Sequence, residues 1–183
     1  MSTLTRTTYR WKTLDLDGLP DESFLRYEIV DGELIVSRRP EWPHQRIIRK
    51  FIVAFDPPVS AIGGEVLPEP GIVWGEQAED NVIPDVAIIL QDRLHLLAGP
   101  KLSGAPNIVI EVVSPSSVET DYIKKRALYQ RTGVQEYWIA DIERRTVEVW
   151  RFEGAKASSE LYQDGEISSP LIPGLALQVS SLW

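Results

Sequence analysis

The sequence contains no cysteine and only two histidines, His44 and His95. The absence of cysteine excludes disulfides, thiolate nucleophiles, thiolate zinc sites and iron–sulfur clusters, and it favours a cytoplasmic protein over a small secreted one. With so few histidines, a bound metal should be a hard, oxygen-ligated cation such as Mg²⁺, Mn²⁺ or Ca²⁺. No apolar run approaches the roughly 18 residues that span a bilayer, so we expect no membrane partner.

Positive charge is also scarce, since the net charge is −8. This argues against a protein that coats nucleic acid non-specifically, because such binding depends on Lys and Arg. The negative net charge is still compatible with an enzyme that contacts phosphates through a carboxylate-bound cation. The length of 183 residues suits one domain, with residues 1–20 as a peripheral N-terminal arm or short helix.

The hydrophobic pattern predicts a mixed α/β (α+β) fold, with helices packed on a largely antiparallel sheet. No GxGxxG or P-loop motif is present, which disfavours a nucleotide-binding fold. The first predicted elements are a hairpin over Tyr27–Val36 around Asp31-Gly32 and a helix from Pro43 to Phe55, ended by Pro57-Pro58. Three central strands of a sheet follow at Ile72–Trp74, Val86–Leu90 and Ile108–Val113. A second helix runs from Val118 to Arg131, with a Ser116–Glu119 capping box and a stop at Gly133, and a second hairpin pairs Glu136–Ala140 with Thr146–Trp150.

Two carboxylates lie in sequence that is otherwise apolar. Asp85 precedes the apolar run at residues 86–90, and Glu111 interrupts the run at residues 108–113. A buried carboxylate needs a cation or a hydrogen-bond network. If the two strands are neighbours, Asp85, Glu111 and the backbone carbonyl of Val112 can bind one divalent cation. The alternative is that Glu111 forms a structural ion pair with a Lys or Arg.

A lysine on the second predicted helix could complete such a site. Asp121, Lys125, Leu128 and Tyr129 share one stripe of that helix, so Lys125 can face inward. There its charge could reach a phosphate and an attacking water beside the metal. The alternative is a helical ion pair between Asp121 and Lys125 at the surface.

Successive blocks of the sequence resemble one bacterial family, the restriction-endonuclease-like proteins abundant in cyanobacteria, which belong to the PD-(D/E)XK nuclease superfamily. The resemblance covers the chain from about residue 11 onward. The blocks that carry it are Tyr27–Leu34, His44 at a helix start, Pro84–Val86, Ile110–Ser116, the series Asp121, Lys125 and Tyr129, then Gly133–Ile139 and Leu171–Leu175.

The resemblance implies a restriction-endonuclease-like core, with Asp85 and Glu111 as metal ligands and Glu28 as an auxiliary acid. The superfamily places a lysine two residues after the Glu, where this chain has Val113. In this family the lysine lies on the following helix, which indicates Lys125, with Lys124 as the second candidate. His44 matches a family position and is a secondary catalytic candidate, although a capping or hydrogen-bonded histidine fits equally well.

The function expected from these observations is a Mg²⁺- or Mn²⁺-dependent DNA endonuclease that hydrolyses phosphodiester bonds. A homodimer would let two sites cut a duplex. The main alternative is a catalytically silent binding or regulatory module with a nuclease fold. A cupin-like metal enzyme is a third alternative, which the two separated histidines disfavour.

Overall fold

The computed structural model describes residues 9–20, 22 and 24–183. Helix α1 spans Trp42–Ala61 and α2 spans Arg126–Thr132, with a π-helical segment at Thr120–Lys125 directly before α2. The strands are β1 (Leu25–Val30), β2 (Glu33–Arg38), β3 (Glu65–Pro68), β4 (Ile72–Val73), β5 (Asn81–Val82), β6 (Val86–Ile89), β7 (Leu102–Ser103), β8 (Ile108–Val113), β9 (Glu136–Asp141), β10 (Thr146–Glu153), β11 (Lys156–Tyr162), β12 (Glu166–Ser169) and β13 (Ile172–Gln178).

The largest sheet has six strands in the order β11-β10-β9-β8-β6-β3. Its neighbouring strands are antiparallel except for β8 and β9, which are parallel. Helix α1 packs on one face, where Phe51 and Phe55 join Trp138 and residues of the β12–β13 hairpin in one core. A second core contains Leu128, Tyr129 and residues of the six-stranded sheet and of a separate five-stranded sheet. The mixed α/β fold with a largely antiparallel sheet is therefore confirmed.

Both predicted hairpins form. Strands β1 and β2 pair in antiparallel register around Asp31 and Gly32, which both have positive φ values of 49° and 73°. Two positive φ angles define the type I′ turn that Asp-Gly favours. Strands β9 and β10 pair from Thr146 opposite Asp141 to Arg151 opposite Glu136.

The predicted end of the first helix was wrong. Helix α1 continues through Pro57 and Pro58 to Ala61. Each proline removes one main-chain hydrogen bond, but Val59 is fully buried in the core against which the helix packs. Packing of the apolar face therefore outweighs the two lost bonds and extends the helix.

The prediction that three central strands share one sheet was wrong for the first strand, predicted at Ile72–Trp74. Strand β4 belongs to a separate five-stranded sheet with the order β2-β1-β5-β4-β7, whereas β6 and β8 are neighbours in the six-stranded sheet. A short apolar run indicates burial but carries no information about which sheet it joins. The sequence pattern also left strands β3, β5, β7 and β11 to β13 unpredicted.

The second helix begins at residue 118, as predicted, but its first half and its N-terminal cap differ from the prediction. Helical structure covers residues 118–132, with the π-helical segment in its first half. The Ser116–Glu119 capping box does not form. Instead, the main-chain N–H of Ser114 donates to the Ser117 hydroxyl, and that hydroxyl donates to the carbonyl of Ser114. The helix ends as predicted at Gly133, where φ is 93°.

The described part of the N-terminal arm includes a 3₁₀ helix at Thr13–Gly18. Main-chain bonds from Trp11 to Gly32 and from Thr13 to Ala78 attach it to the five-stranded sheet. Residues 1–8 of the predicted arm lie outside the described residues. Across the described chain, the helices are too short or too polar to cross a membrane.

Candidate active site

Glu111 lies in the middle of β8, a strand whose six residues are all buried. Its Oε1 atom accepts a hydrogen bond from Nζ of Lys125 at 2.9 Å and another from the Tyr129 hydroxyl at 2.9 Å. Both donors come from the helical segment that follows β8. The ion pair considered as the alternative for Glu111 therefore exists, and its partner is Lys125.

Asp85 lies where the pairing of β6 with β8 stops. The last paired residues are Val86 and Ile110, and the main-chain N–H of Val112 donates to Oδ2 of Asp85 at 2.7 Å. The carboxylate thus replaces the next strand partner of β8. In a strand the N–H and C=O of one residue point to the same side, so the carbonyl of Val112 faces this region too. That carbonyl oxygen lies 2.6 Å from Nε2 of His44, which is also 3.2 Å from Oδ2 of Asp85.

The two candidate lysines occupy different environments. Nζ of Lys125 lies 3.0 Å from Oε1 of Glu28 and 3.8 Å from Oδ1 of Asp121, and the Lys125 side chain is 4% exposed. The prediction of a surface pair between Asp121 and Lys125 is therefore wrong. Lys124 instead forms a surface ion pair with Glu33 at 2.8 Å. The structure brings Lys125, and not Lys124, to Glu111.

Strand β1 supplies the fourth carboxylate. Oε1 of Glu28 accepts a bond from the main-chain N–H of Ile83 at 2.8 Å in addition to its contact with Lys125. Ile83 precedes Asp85 by two residues, so this bond fixes β1 against the segment that carries Asp85. Glu28 is 4% exposed, and its strand becomes buried toward Val30.

Carboxylates outnumber cations at this site. Four carboxylates are at least 95% buried, and they belong to Glu28, Asp85, Glu111 and Asp121. Burial raises the pKa of Glu111 well above its usual value against the opposing effect of Lys125, and the three neighbouring carboxylates raise it further. Burial likewise raises the pKa of Asp121 to about 6. Burial lowers the pKa of Lys125, but attraction by Glu111, Glu28 and Asp121 outweighs burial and raises it, so the ammonium is charged.

Two basic side chains border this carboxylate cluster. Arg26 lies on the same face of β1 as Glu28, with Nη1 at 3.7 Å from Oδ1 of Asp85, and it also pairs with Glu69. Burial lowers the pKa of His44, but the hydrogen bond to Asp85, the negative charge of Asp85 and the bond to the Val112 carbonyl together outweigh burial and raise the pKa overall. Neither side chain reverses the excess of negative charge.

Sequence reasoning missed three contributors to this site. Arg26 could have been found from its position two residues before Glu28, since alternate residues of a strand share a face. Tyr129 was placed on the Lys125 stripe without a role, yet its hydroxyl holds Glu111. Tyr137, whose hydroxyl donates to the carbonyl of Asp121 at 3.1 Å, has no signal in the sequence beyond its buried strand.

The donor set fits a hard cation. Asp85, Glu111 and the Val112 carbonyl offer oxygen atoms next to an excess of buried negative charge. Among the described residues, no three His, Cys, Asp or Glu side chains cluster as a metal-binding group. A set built from two carboxylates therefore needs the main-chain oxygen as its third member.

Comparison with known proteins supports a nuclease. A family model described as "Uma2: Putative restriction endonuclease" matches residues 13–180. The chain belongs to the Uma2 family. This membership confirms the family resemblance and supports a nuclease function. No match was found among curated proteins.

A solved structure shares the fold. A crystal structure titled as a "putative nuclease belonging to DUF820" from Anabaena variabilis ATCC 29413 aligns with a TM-score of 0.76. The two chains are 22% identical, and the alignment covers 93% of this chain and 96% of that one. At this level of identity the comparison establishes the common fold of the Uma2 chain and the cyanobacterial protein.

Proposed function

We propose that the protein is a metal-dependent DNA endonuclease, which hydrolyses phosphodiester bonds with Mg²⁺ or Mn²⁺. The observation that carries this proposal is the convergence of three buried carboxylates, those of Glu28, Glu111 and Asp121, on the buried ammonium of Lys125, with the buried carboxylate of Asp85 close enough to raise the pKa of Glu111. Burying like charges together is strongly unfavourable unless a cation offsets them. A divalent cation beside Lys125 would neutralise the remaining charge.

The cation would be held by Asp85, Glu111 and the carbonyl oxygen of Val112. Asp85 accepts the main-chain N–H of Val112 at the end of the β6–β8 ladder, on the side of the strand to which the Val112 carbonyl also points, and Glu111 is adjacent to Val112 in the chain. Oxygen ligands of this kind are those that Mg²⁺ prefers. When bound, such a cation polarises a phosphoryl oxygen and lowers the pKa of its water.

Lys125 would act on the phosphate and on the attacking water. Its ammonium is held by Glu28 and Glu111 at 3.0 Å and 2.9 Å, so its position is fixed before substrate arrives. A fixed positive charge stabilises the charge that develops on phosphate in the transition state. The family resemblance implies that Glu28 is an auxiliary acid, and its role here would be to position Lys125.

Arg26 would bind the DNA backbone next to the reacting phosphate. Its guanidinium lies near Asp85 and pairs with Glu69, whose side chain is 34% exposed. Arginine matches the geometry of phosphate oxygens with two parallel donors. On α1, Arg46 and Arg49 are exposed within two turns of His44 and would extend this contact surface.

The experiment is calorimetric titration of Mn²⁺ and Mg²⁺ into the wild type, Asp85→Ala and Glu111→Ala, followed by incubation of each protein with supercoiled plasmid. We expect saturable binding and plasmid nicking in the wild type and the loss of both in the two variants. Glu143→Ala, at an exposed turn, is the matched control and should behave as wild type. Absence of binding in the wild type, both alone and with plasmid DNA, would contradict the metal site.

Metal binding without cleavage of duplex or single-stranded DNA would instead favour a silent binding module. The products also test the proposed homodimer. Two sites acting together convert supercoiled plasmid directly to linear DNA, whereas a single site accumulates nicked circles. A strict monomer in sedimentation at the working concentration would contradict the homodimer.

A further inference from the structure

Two aromatic side chains are exposed beside the carboxylate cluster. Trp42 is 74% exposed and Phe24 is 58% exposed. All six tryptophans lie within the described residues, and the other five are buried or half-buried. Aromatic rings that stay in water next to a polar site are typical of a surface that binds a partner.

Each exposed ring lies two residues before a basic side chain that reaches Asp85. Phe24 precedes Arg26, whose Nη1 atom lies 3.7 Å from Oδ1 of Asp85. Trp42 precedes His44, whose Nε2 atom lies 3.2 Å from Oδ2 of the same carboxylate. The two rings therefore come from different elements, β1 and α1, that meet at one residue of the candidate active site.

The backbone places Phe24 on the same face of the sheet as Arg26. The main-chain N–H of Arg39 donates to the carbonyl of Phe24, which continues the antiparallel register of β1 and β2 by one residue. Alternate residues of a strand share a face and are about 7 Å apart. A base stacked on Phe24 would thus belong to a nucleotide next to a phosphate bound by Arg26.

Trp42 begins a basic stripe on the outer face of α1. Trp42, Arg46, Arg49 and Val53 recur at helical spacing, and all four are exposed. The first turns of the helix contain Lys and Arg but no carboxylate, although the whole chain has a net charge of −8. In the described part of the chain, no carboxylate forms an ion pair with Arg46 or Arg49. An aromatic ring beside unpaired cations is typical of a surface that binds single-stranded nucleic acid.

The stripe lies close to the carboxylate cluster. His44 and Trp42 lie on opposite sides of α1, because two residues of a helix are about half a turn apart. A helix with its side chains is about 10–12 Å wide. A base on Trp42 would therefore be a few nucleotides from a phosphate at Asp85.

We propose that Phe24 and Trp42 stack on unpaired bases next to the reacting phosphate, so that the active site selects single-stranded DNA over duplex DNA. The inference rests on the proposed endonuclease function and adds a substrate class to it. In a duplex the base faces are stacked on one another, whereas every unpaired base offers a face to an aromatic ring. Arg46 and Arg49 would bind phosphates of the same strand.

The charge of the stripe favours a nucleic acid over a second copy of the chain. A two-fold symmetric dimer across this face of α1 would place the stripe of one copy against the same stripe of the other, so that like charges would meet. Burial lowers the pKa of Lys50, and the charges of Arg46 and Arg49 lower it further, so repulsion already acts within one chain. A phosphate backbone would relieve this repulsion.

The test compares labelled oligonucleotides by fluorescence anisotropy in EDTA, which removes divalent cations so that binding is measured without cleavage. One strand is oligothymidylate of about 12 nucleotides, and the other has the same length but is abasic, so it keeps the phosphates and lacks the bases. The wild type should bind oligothymidylate more tightly than the abasic strand or a duplex of the same length. Trp42→Ala should weaken binding of oligothymidylate about tenfold and change binding of the other two less than about twofold.

Tryptophan fluorescence provides a second readout, because Trp42 is the exposed tryptophan. Oligothymidylate should quench the emission of the wild type but not that of Trp42→Phe. Phenylalanine still stacks on a base, so Trp42→Phe should keep most of the affinity while losing the quenching. Phe24→Ala should weaken binding of oligothymidylate as Trp42→Ala does.

Leu161→Ala is the matched control. Leu161 is 57% exposed on β11, the edge strand of the six-stranded sheet, and its loss should leave DNA binding unchanged. Circular dichroism confirms that each variant is folded at the assay temperature.

Three results would overturn the inference. The first is equal weakening of oligothymidylate and abasic strand in Trp42→Ala, and the second is tighter binding of duplex than of oligothymidylate by the wild type. The third is a change from dimer to monomer in sedimentation of Trp42→Ala with unchanged DNA affinity, which would assign the stripe to a contact between copies. Plasmid nicking by the wild type alongside any of them would leave the proposed endonuclease intact. Base-dependent binding without cleavage of any DNA would instead overturn the endonuclease and support the stacking surface.

Discussion

Nζ of Lys125 lies 2.9 Å from Oε1 of Glu111, although the two residues are 14 positions apart and belong to a helical segment and a buried strand. The contact joins the Lys125 ammonium to Glu111, the carboxylate whose pKa burial raises well above its usual value. It also defines the proposed site, because Glu28 and Asp121 meet at the same nitrogen.

Replacing Lys125 with Met should weaken the fold and abolish cleavage. Removal of one partner from a buried charge cluster costs about 3–5 kcal/mol. We therefore expect the free energy of unfolding in urea to fall by about 3 kcal/mol, with loss of plasmid nicking under conditions where the variant remains folded. Circular dichroism at the assay temperature confirms that state.

The matched control is Lys124→Met. Lys124 pairs with Glu33, which is 61% exposed, and exposed ion pairs contribute about 0–1 kcal/mol. Its unfolding free energy and nicking rate should stay close to those of the wild type. A Lys124→Met protein that loses nicking while Lys125→Met keeps it would reverse the assignment.

Asp121→Asn should stabilise the metal-free protein at alkaline pH. Asp121 has a pKa raised from 3.8 to about 6 in the folded state, so the folded protein retains its proton while the unfolded chain releases it. The stability of the wild type therefore declines as pH rises from about 4 through 6, and the full cost, about 2–3 kcal/mol, is present above pH 6. The variant lacks this cost.

Urea unfolding at pH 4 and pH 8 in the presence of a chelator measures this effect. The difference between Asp121→Asn and wild type should be small at pH 4 and about 2 kcal/mol in favour of the variant at pH 8. Other titrating groups affect both proteins similarly. A variant that is less stable than wild type at pH 8 would show that Asp121 stabilises the fold through Lys125.

Tyr129→Phe tests the other donor to Glu111. The substitution keeps the buried ring, which lies 4.9 Å from that of Tyr137, but removes the hydroxyl. Loss of a hydrogen bond to a buried carboxylate should lower the free energy of unfolding by about 1–3 kcal/mol. Added Mn²⁺ should reduce this loss, because the cation would compensate Glu111. An equal loss of unfolding free energy with and without Mn²⁺ would show that Glu111 does not bind the metal.

Arg26 and Glu69 should change DNA affinity in opposite directions. Arg26→Gln removes the proposed phosphate contact. The slope of the logarithm of the DNA-binding constant against the logarithm of the salt concentration should therefore become shallower by about one. Glu69→Gln frees the guanidinium from a competing carboxylate and should strengthen binding. Fluorescence anisotropy with a hydrolysis-resistant phosphorothioate duplex measures both, and equal weakening in the two variants would exclude direct phosphate binding by Arg26.

Local patterns in the sequence predicted much of the framework. The Asp31-Gly32 turn, the apolar runs of β6 and β8 and the helical stripe around Leu128 require only short-range regularities, and all three form as expected. The same patterns drew attention to Asp85 and Glu111, because carboxylates in apolar strands conflict with burial. Their proximity follows from β6 and β8 being neighbours. Their catalytic roles stay predictions.

What the sequence by itself determined is therefore which segments are buried and which polar side chains are buried with them, because hydrophobic periodicity fixes the buried face of each element. Only the tertiary structure decided which partners those side chains meet. It separated Lys125 from the chemically identical Lys124, since neighbouring residues of a helix point to different faces. It also brought Arg26 and His44 to Asp85, because contacts between distant strands and helices depend on packing that no local pattern records.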